Sequence, residues 1–140
     1  MRGKAFVDTN VLVYAHDSFG GDRFNRAREL LATLWDEKRG VLSTQVLQEF
    51  CVNARRKAKH PIGWDEVREA IRDYKNWETV VNSADAVLRA MEVEQRYQIS
   101  FWDAMIVQAA ESAGCEVLYS EDLSHGQEYG GVLVVNPFLG

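Results

Sequence analysis

Short apolar runs alternate along the chain with longer stretches in which apolar residues recur at helical spacing, the arrangement of βαβ units wound into a parallel sheet. Ala5–Val7, Val41–Ser43, Thr79–Val81, Glu116–Tyr119 and Val132–Val135 read as strands. Between the first two, Arg23–Glu37 sets Ala27, Leu30, Leu31, Leu34 and Trp35 on one stripe, which predicts an amphipathic helix stopped by Gly40. Val46–Ala58 repeats the pattern with Val46, Leu47, Phe50, Cys51 and Ala54. After the break at His60-Pro61 and Gly63, a further helix is predicted over Trp64–Trp77. Asn82–Arg96 is expected to turn Val87, Leu88 and Met91 inward. Phe101–Ala113 is apolar on nearly every side, so it reads as a buried central helix with Gly114 as its C′ residue. Val11–Ala15 looks like a helical turn. The expectation is one α/β domain over residues 1–140, a parallel sheet of about five strands flanked by helices.

Composition narrows the class. A chain of 140 residues, 46% hydrophobic and 26% charged, with 2 Pro and 10 Gly, suits one folded domain and excludes collagen-like and broadly disordered chains. No apolar run approaches the ~20 residues that span a bilayer. Met1–Lys4 leads into the first apolar run without the hydrophobic region of a leader, so no membrane association and a cytoplasmic location are expected. Cys51 and Cys115 read as buried, reduced thiols, and His16, His60 and His125 are too scattered to suggest zinc. The net charge of −5 disfavours polyanions, so nucleic acid would need a local cationic patch or metal ions. Arg55-Arg56-Lys57-Ala58-Lys59-His60 offers such a patch, although cations at a helix end also suit the helix dipole.

Open parallel sheets bind ligands beyond the carboxyl ends of their strands, so the residues that follow each apolar run carry the most information. The first run ends in Asp8-Thr9-Asn10 and the fourth in Ser120-Glu121-Asp122. Capping or a turn would explain either one alone. Asp103 lies three residues after Ser100 at the start of the apolar helix, where a capping box is the plain reading, yet a carboxylate in such surroundings is costly unless donors or cations stabilise it. Glu49 sits just off the apolar face of its helix and taken alone reads as a solvated flank. The conjunction changes the weighting, because two acids end strands and two lie on helices that a parallel sheet brings to the same edge. Carboxylates that converge repel one another, and a hard divalent cation such as Mg²⁺ or Mn²⁺ resolves the repulsion.

At these residues the sequence resembles the PIN domain family, and more closely the VapC-like toxins of prokaryotic toxin–antitoxin pairs. The likeness runs through Phe6-Val7-Asp8-Thr9-Asn10-Val11-Leu12-Val13-Tyr14-Ala15, Ser43 to Glu49 and Phe101-Trp102-Asp103-Ala104. It continues in Leu118-Tyr119-Ser120-Glu121-Asp122-Leu123 and Val134-Val135-Asn136-Pro137-Phe138, so it spans nearly the whole chain. The resemblance implies a Rossmann-like sheet, metal-dependent endoribonuclease activity, an RNA substrate, frequent homodimers and a small antitoxin partner. Its acidic quartet falls on Asp8, Glu49, Asp103 and Asp122, with Asn10 and Ser120 at supporting positions. Glu121 stands where many relatives differ, which leaves open whether Glu121 or Asp122 dominates metal binding.

The chemistry implied is hydrolysis of an RNA phosphodiester at a site holding Mg²⁺ or Mn²⁺, with Asp8 and Asp103 as direct ligands, Glu49 and Asp122 completing the set, and Arg55, Arg56 and Lys57 meeting RNA. His125 is close enough in sequence to reach a substrate, although a surface loop histidine is the plain reading. A haloacid-dehalogenase-like phosphatase ranks lower, because it needs Asp-x-Asp where this chain has Asp8-Thr9-Asn10. The alternative from another class is a PIN-like module that binds RNA or protein without turnover.

Overall fold

A computed structural model describes residues 3–139. Met1, Arg2 and Gly140 lie outside the described residues, and with them the start of the Met1–Lys4 reading. The elements are β1 (Ala5–Val7), α1 (Thr9–Ala15), α2 (Asp22–Glu37), β2 (Gly40–Ser43), α3 (Thr44–Arg56) and α4 (Trp64–Tyr74). They continue through β3 (Glu78–Val80), α5 (Ala84–Tyr97), α6 (Phe101–Ser112), β4 (Val117–Tyr119), β5 (Glu128–Tyr129) and β6 (Val132–Val135). Among the described residues the sheet has six strands in the order β3-β2-β1-β4-β6-β5, parallel except where β5 meets β6. The strand beyond the expected five is β5, two residues long, turned back on β6 through Gly130 and Gly131. Both glycines have positive φ, +56° and +86°, as a tight hairpin turn of the right twist requires.

The central strands β1 and β2 are buried throughout, as strands covered on both faces must be. The chain leaves β1 outward to β2 and β3, then returns to place β4 on the other side of β1. That reversal makes the β1/β4 edge the switch point at which an open α/β sheet forms a crevice. Beneath it, α6 is buried from Ala104 to Ala110, the all-round burial that its apolar sequence predicts. Serine side chains start three helices: Ser43, Ser83 and Ser100 accept the N–H groups of Val46, Ala86 and Asp103.

Three expectations are corrected. Gly40 does not stop α2; Lys38 does, in a left-handed conformation at φ 55°, while Gly40 opens β2 against the Trp77 ring, which a Cβ there would strike. Val87, Leu88 and Met91 face outward, at 40%, 60% and 53% exposed. The inward positions of α5 are Ala86 and Ala90, because Ala90 meets Ala104 and Met105 of α6 at a seam that admits small side chains. Cys51 is half-buried, whereas Cys115 is buried, and both thiols are free.

Candidate functional site

Asp8 is the first residue beyond β1 and the N-cap of α1, so its side chain belongs to both elements at the switch point. Oδ1 accepts the Thr9 N–H at 2.7 Å, and Oδ2 accepts the Ser120 hydroxyl at 2.8 Å across the gap from β4. Ser120 is fully buried, and its oxygen also accepts from the Asp122 and Leu123 N–H groups. With its lone pairs so occupied, its proton has Asp8 as its outlet. The capping reading of Asp8 is therefore true and incomplete.

The next two residues extend the pattern. Thr9 Oγ1 donates to Glu49 Oε1 of α3 at 2.6 Å, and Asn10 Nδ2 donates to Asp122 Oδ2 at 3.0 Å. Three consecutive residues of one strand-to-helix turn thus hold a serine of the β4 loop, an acid of α3 and an acid after β4. Gln45, one turn before Glu49, donates to the Trp102 carbonyl at 3.2 Å and so ties α3 to the first turn of α6, where Asp103 lies. Ser100 caps that turn by accepting the Asp103 N–H at 3.1 Å, while the Asp103 carboxylate accepts no hydrogen bond among the described residues.

Electrostatics shows which acids face one another. Burial pushes Asp8 up to about 7, against the pull of the Ser120 and Thr9 bonds, and the charges of Asp122 and Asp103 add to the rise. Asp122 is raised too, first by burial and then by Asp103, Glu121 and Glu49. Asp8, Glu49, Asp103 and Asp122 thus share one field through Asp8 and Asp122. Among the described residues no three His, Cys, Asp or Glu side chains stand close enough to enclose an ion as they are oriented.

Glu121 has a separate assignment. Its Oε1 accepts the Tyr14 hydroxyl at 2.9 Å and its Oε2 pairs with Arg23 Nε at 2.8 Å. Both carboxylate oxygens are committed to α1 and α2, leaving Asp122 as the acid that Asn10 turns toward the others. His125 Nδ1 accepts the Asn136 N–H at 3.0 Å, an anchor for the loop between β4 and β5. In the cationic run, Arg56 and Lys57 are exposed. Arg55 is engaged elsewhere, its Nε donating to the Cys51 carbonyl at 2.8 Å and its guanidinium 3.7 Å from the centroid of the Trp64 ring. Sequence reasoning missed the positioning roles of Thr9 and Gln45; for Thr9 the signal was its place inside the Asp8-Thr9-Asn10 turn.

The family model of the PIN domain matches residues 5–126. Among solved structures the chain is similar to the VapC20 toxin of Mycobacterium tuberculosis, a sarcin-ricin loop cleaving toxin, at 24% identity and a TM-score of 0.64 over 85% of this chain and 90% of that one. It is similar to a toxin–antitoxin complex from Klebsiella pneumoniae at 22% identity and a TM-score of 0.69, covering 96% and 98% of the two chains. DNA-bound VapBC from Salmonella typhimurium is similar at 18% identity and a TM-score of 0.64, covering 94% and 96%. Identities this low speak for the fold. Among curated proteins no sequence matches significantly.

Proposed function

The chain belongs to the PIN domain family, and from that premise we propose that it is an Mg²⁺- or Mn²⁺-dependent endoribonuclease, the toxin of a toxin–antitoxin pair, with Asp8, Glu49, Asp103 and Asp122 as its acidic site. The observation that carries this reading is the trio of bonds from one turn: Asp8 to Ser120, Thr9 to Glu49 and Asn10 to Asp122. A fold gains little stability from gathering acids at a strand end, and a cation explains why they are gathered.

The donor set fits such an ion, since every candidate ligand is an oxygen and Asp8 is a buried carboxylate faced by like charges. Asp8 and Asp103 would hold the ion, with Glu49 and Asp122 completing the set. When bound, it supplies a Lewis acid that acidifies water and neutralises phosphate charge. The chain's own part is placement. Ser120 fixes the Asp8 carboxylate, Thr9 fixes that of Glu49, and Asn10 holds Asp122 while leaving its other oxygen open.

Partners follow from the same reading. RNA is the substrate, and an antitoxin is supported by the likeness to toxins described in complexes. A homodimer is supported by the outward Val87, Leu88 and Met91 of α5, an apolar face that association would cover. No helix among the described residues is long and apolar enough to cross a membrane. The test is direct: purified protein should cut structured RNA with Mn²⁺ or Mg²⁺ and stop when EDTA is added. RNA left intact in all conditions by folded protein would replace the enzyme with a PIN-like binding module.

A further inference from the structure

A groove of about 290 Å³ opens between α1 and α3 beside the acids, lined by Asn10, Tyr14, Arg23, Asn53, Lys57 and Lys59. We infer that it holds the RNA strand flanking the scissile phosphate, with Lys57 and Lys59 on the phosphates and the Asn53 amide against a base edge. The inference rests on RNA being the substrate.

The geometry begins with α3. Gln45, Glu49, Asn53 and Lys57 recur every fourth residue, so they share one face of the helix and its C-cap, and that face runs from the acids to the cations. From Glu49 to Lys57 the helix rises about 12 Å, room for a chain that continues past the reacting phosphate. Asn10 joins the two ends, because it lines the groove while its amide holds Asp122.

Asn53, Lys57 and Lys59 have polar capacity to spare in the groove, whereas Asn10, Tyr14 and Arg23 are engaged with Asp122 and Glu121, and the Asp17 carboxylate that also lines it is engaged by backbone N–H groups. Asn53 is half-buried and its side-chain amide has no hydrogen-bond partner among the described residues. Lys57 is exposed and its ammonium has no ion-pair partner among them. Lys59 is held over the groove by its backbone, since buried Asp17 accepts the Lys59 N–H at 2.8 Å and the His60 N–H at 3.0 Å. Asp17 is itself pulled below the usual carboxylate range by these N–H bonds, against the effect of burial. A fixed loop carrying lysines beside an unpaired amide provides phosphate contact and base-edge contact in one place. By contrast, a cavity of about 410 Å³ between Trp35 and Trp77 lies at the opposite end of the sheet. Its Lys4 and Arg39 are already paired with Glu78 and Glu37.

The experiment compares wild type with Asn53→Ala, Lys57→Gln and, as a charge-matched control away from the groove, Lys75→Gln. Binding of a short mixed-sequence single-stranded RNA is titrated against salt in EDTA, and cut sites are sequenced with Mn²⁺. Lys57→Gln should weaken binding to all sequences alike and lower the salt slope by about 0.7, while Lys57→Arg restores it. Asn53→Ala should keep the slope and lose about fivefold or more of the base preference beside the cut. Lys75→Gln should change neither. The backbone carbonyl of Asn53, which accepts from Lys57 and Ala58, survives all these changes, and thermal melts verify folding. If wild type cuts RNA and the groove variants bind and cut as it does, the inference is overturned and the nuclease reading stands. A Lys57-dependent slope in a protein that never cuts overturns the nuclease reading and, with it, the assignment of the groove to a strand beside a scissile phosphate. Absence of RNA binding overturns the inference, as does a Lys57→Gln variant that loses affinity for poly-glutamate but not for RNA, which marks a protein-docking groove.

Discussion

Thr9 Oγ1 stands 2.6 Å from Glu49 Oε1, with Thr9 itself buried, so one hydroxyl joins the turn after β1 to the middle of α3. Glu49 has a second contact in Gln45 Nε2, but at 3.5 Å it is long and weak. Thr9 therefore sets the orientation of this carboxylate. Thr9→Val keeps the shape and deletes the donor; partners of this kind are typically worth 10- to 100-fold in metal affinity or activity. We predict a loss of that order in Mn²⁺ affinity by calorimetry and in RNA cleavage, and recovery in Thr9→Ser. Equal performance of the valine and serine variants would remove Thr9 from the site.

Asp8 makes stability depend on pH in an uncommon direction for an acid. Its pKa rises from the ordinary 3.8 to about 7 on folding, chiefly through burial. Between these values the folded protein holds a proton that the unfolded chain has released, so stability falls as pH rises through this window and the loss is complete above it. The full span corresponds to on the order of 4 kcal/mol, an upper figure because local opening admits water. Urea melts in EDTA across pH 4.5 to 8 should show wild type losing more than Asp8→Asn, which cannot titrate. Taking the difference removes the opposite contribution of His16, whose pKa is lowered below the ordinary 6.5 chiefly by burial and which therefore adds stability as pH rises toward that value. Parallel curves for the two proteins would mean that Asp8 is solvated.

Most of this fold was legible because its signals are local. A five-residue stripe gave α2 and an all-round apolar stretch gave α6, with Gly114 at φ 72° ending the latter as expected. Where sequence reading failed, the cause was tertiary. Periodicity placed Val87, Leu88 and Met91 on a common side of α5, but which side turns inward depends on α6, whose Ala104 admits Ala90. The β5 strand has two residues, too few for a pattern. Strand ends pointed to Asp8 and Asp122, yet the separation of Glu121 from Asp122 needed Tyr14 and Arg23, distant in sequence.

That separation yields a prediction with two arms. Glu121→Gln removes charge from a carboxylate bonded to Tyr14 and Arg23, a pair that is partly exposed and so worth at most about 1 kcal/mol. It should lower the melting temperature slightly and leave Mn²⁺ affinity close to wild type. Asp122→Asn should do the reverse, holding or raising the melting temperature in EDTA while weakening Mn²⁺ binding and cleavage. The same calorimetric titration on both variants decides; a larger metal defect in Glu121→Gln would reassign the ligand.

Asp103 offers a prediction whose sign turns with pH. Its carboxylate lies in the first turn of α6, where the helix dipole favours a negative charge by about 0.3–1 kcal/mol, and it also raises Asp8 and Asp122 by repulsion. Near pH 5 Asp8 holds its proton, the repulsion is slight, and Asp103→Asn should be neutral or mildly destabilising in EDTA. At pH 8 Asp8 is ionised and buried, repulsion outweighs the dipole, and the same substitution should raise the melting temperature. Mn²⁺ then reverses the order, stabilising wild type by about 2.7 kcal/mol at a hundredfold excess over Kd and the variant far less. RNA cleavage should be lost. Melts of both proteins at the two pH values, with EDTA and then Mn²⁺, provide the test: if Asp103→Asn tracks wild type throughout and still cuts RNA, Asp103 serves α6 alone and the metal lies elsewhere.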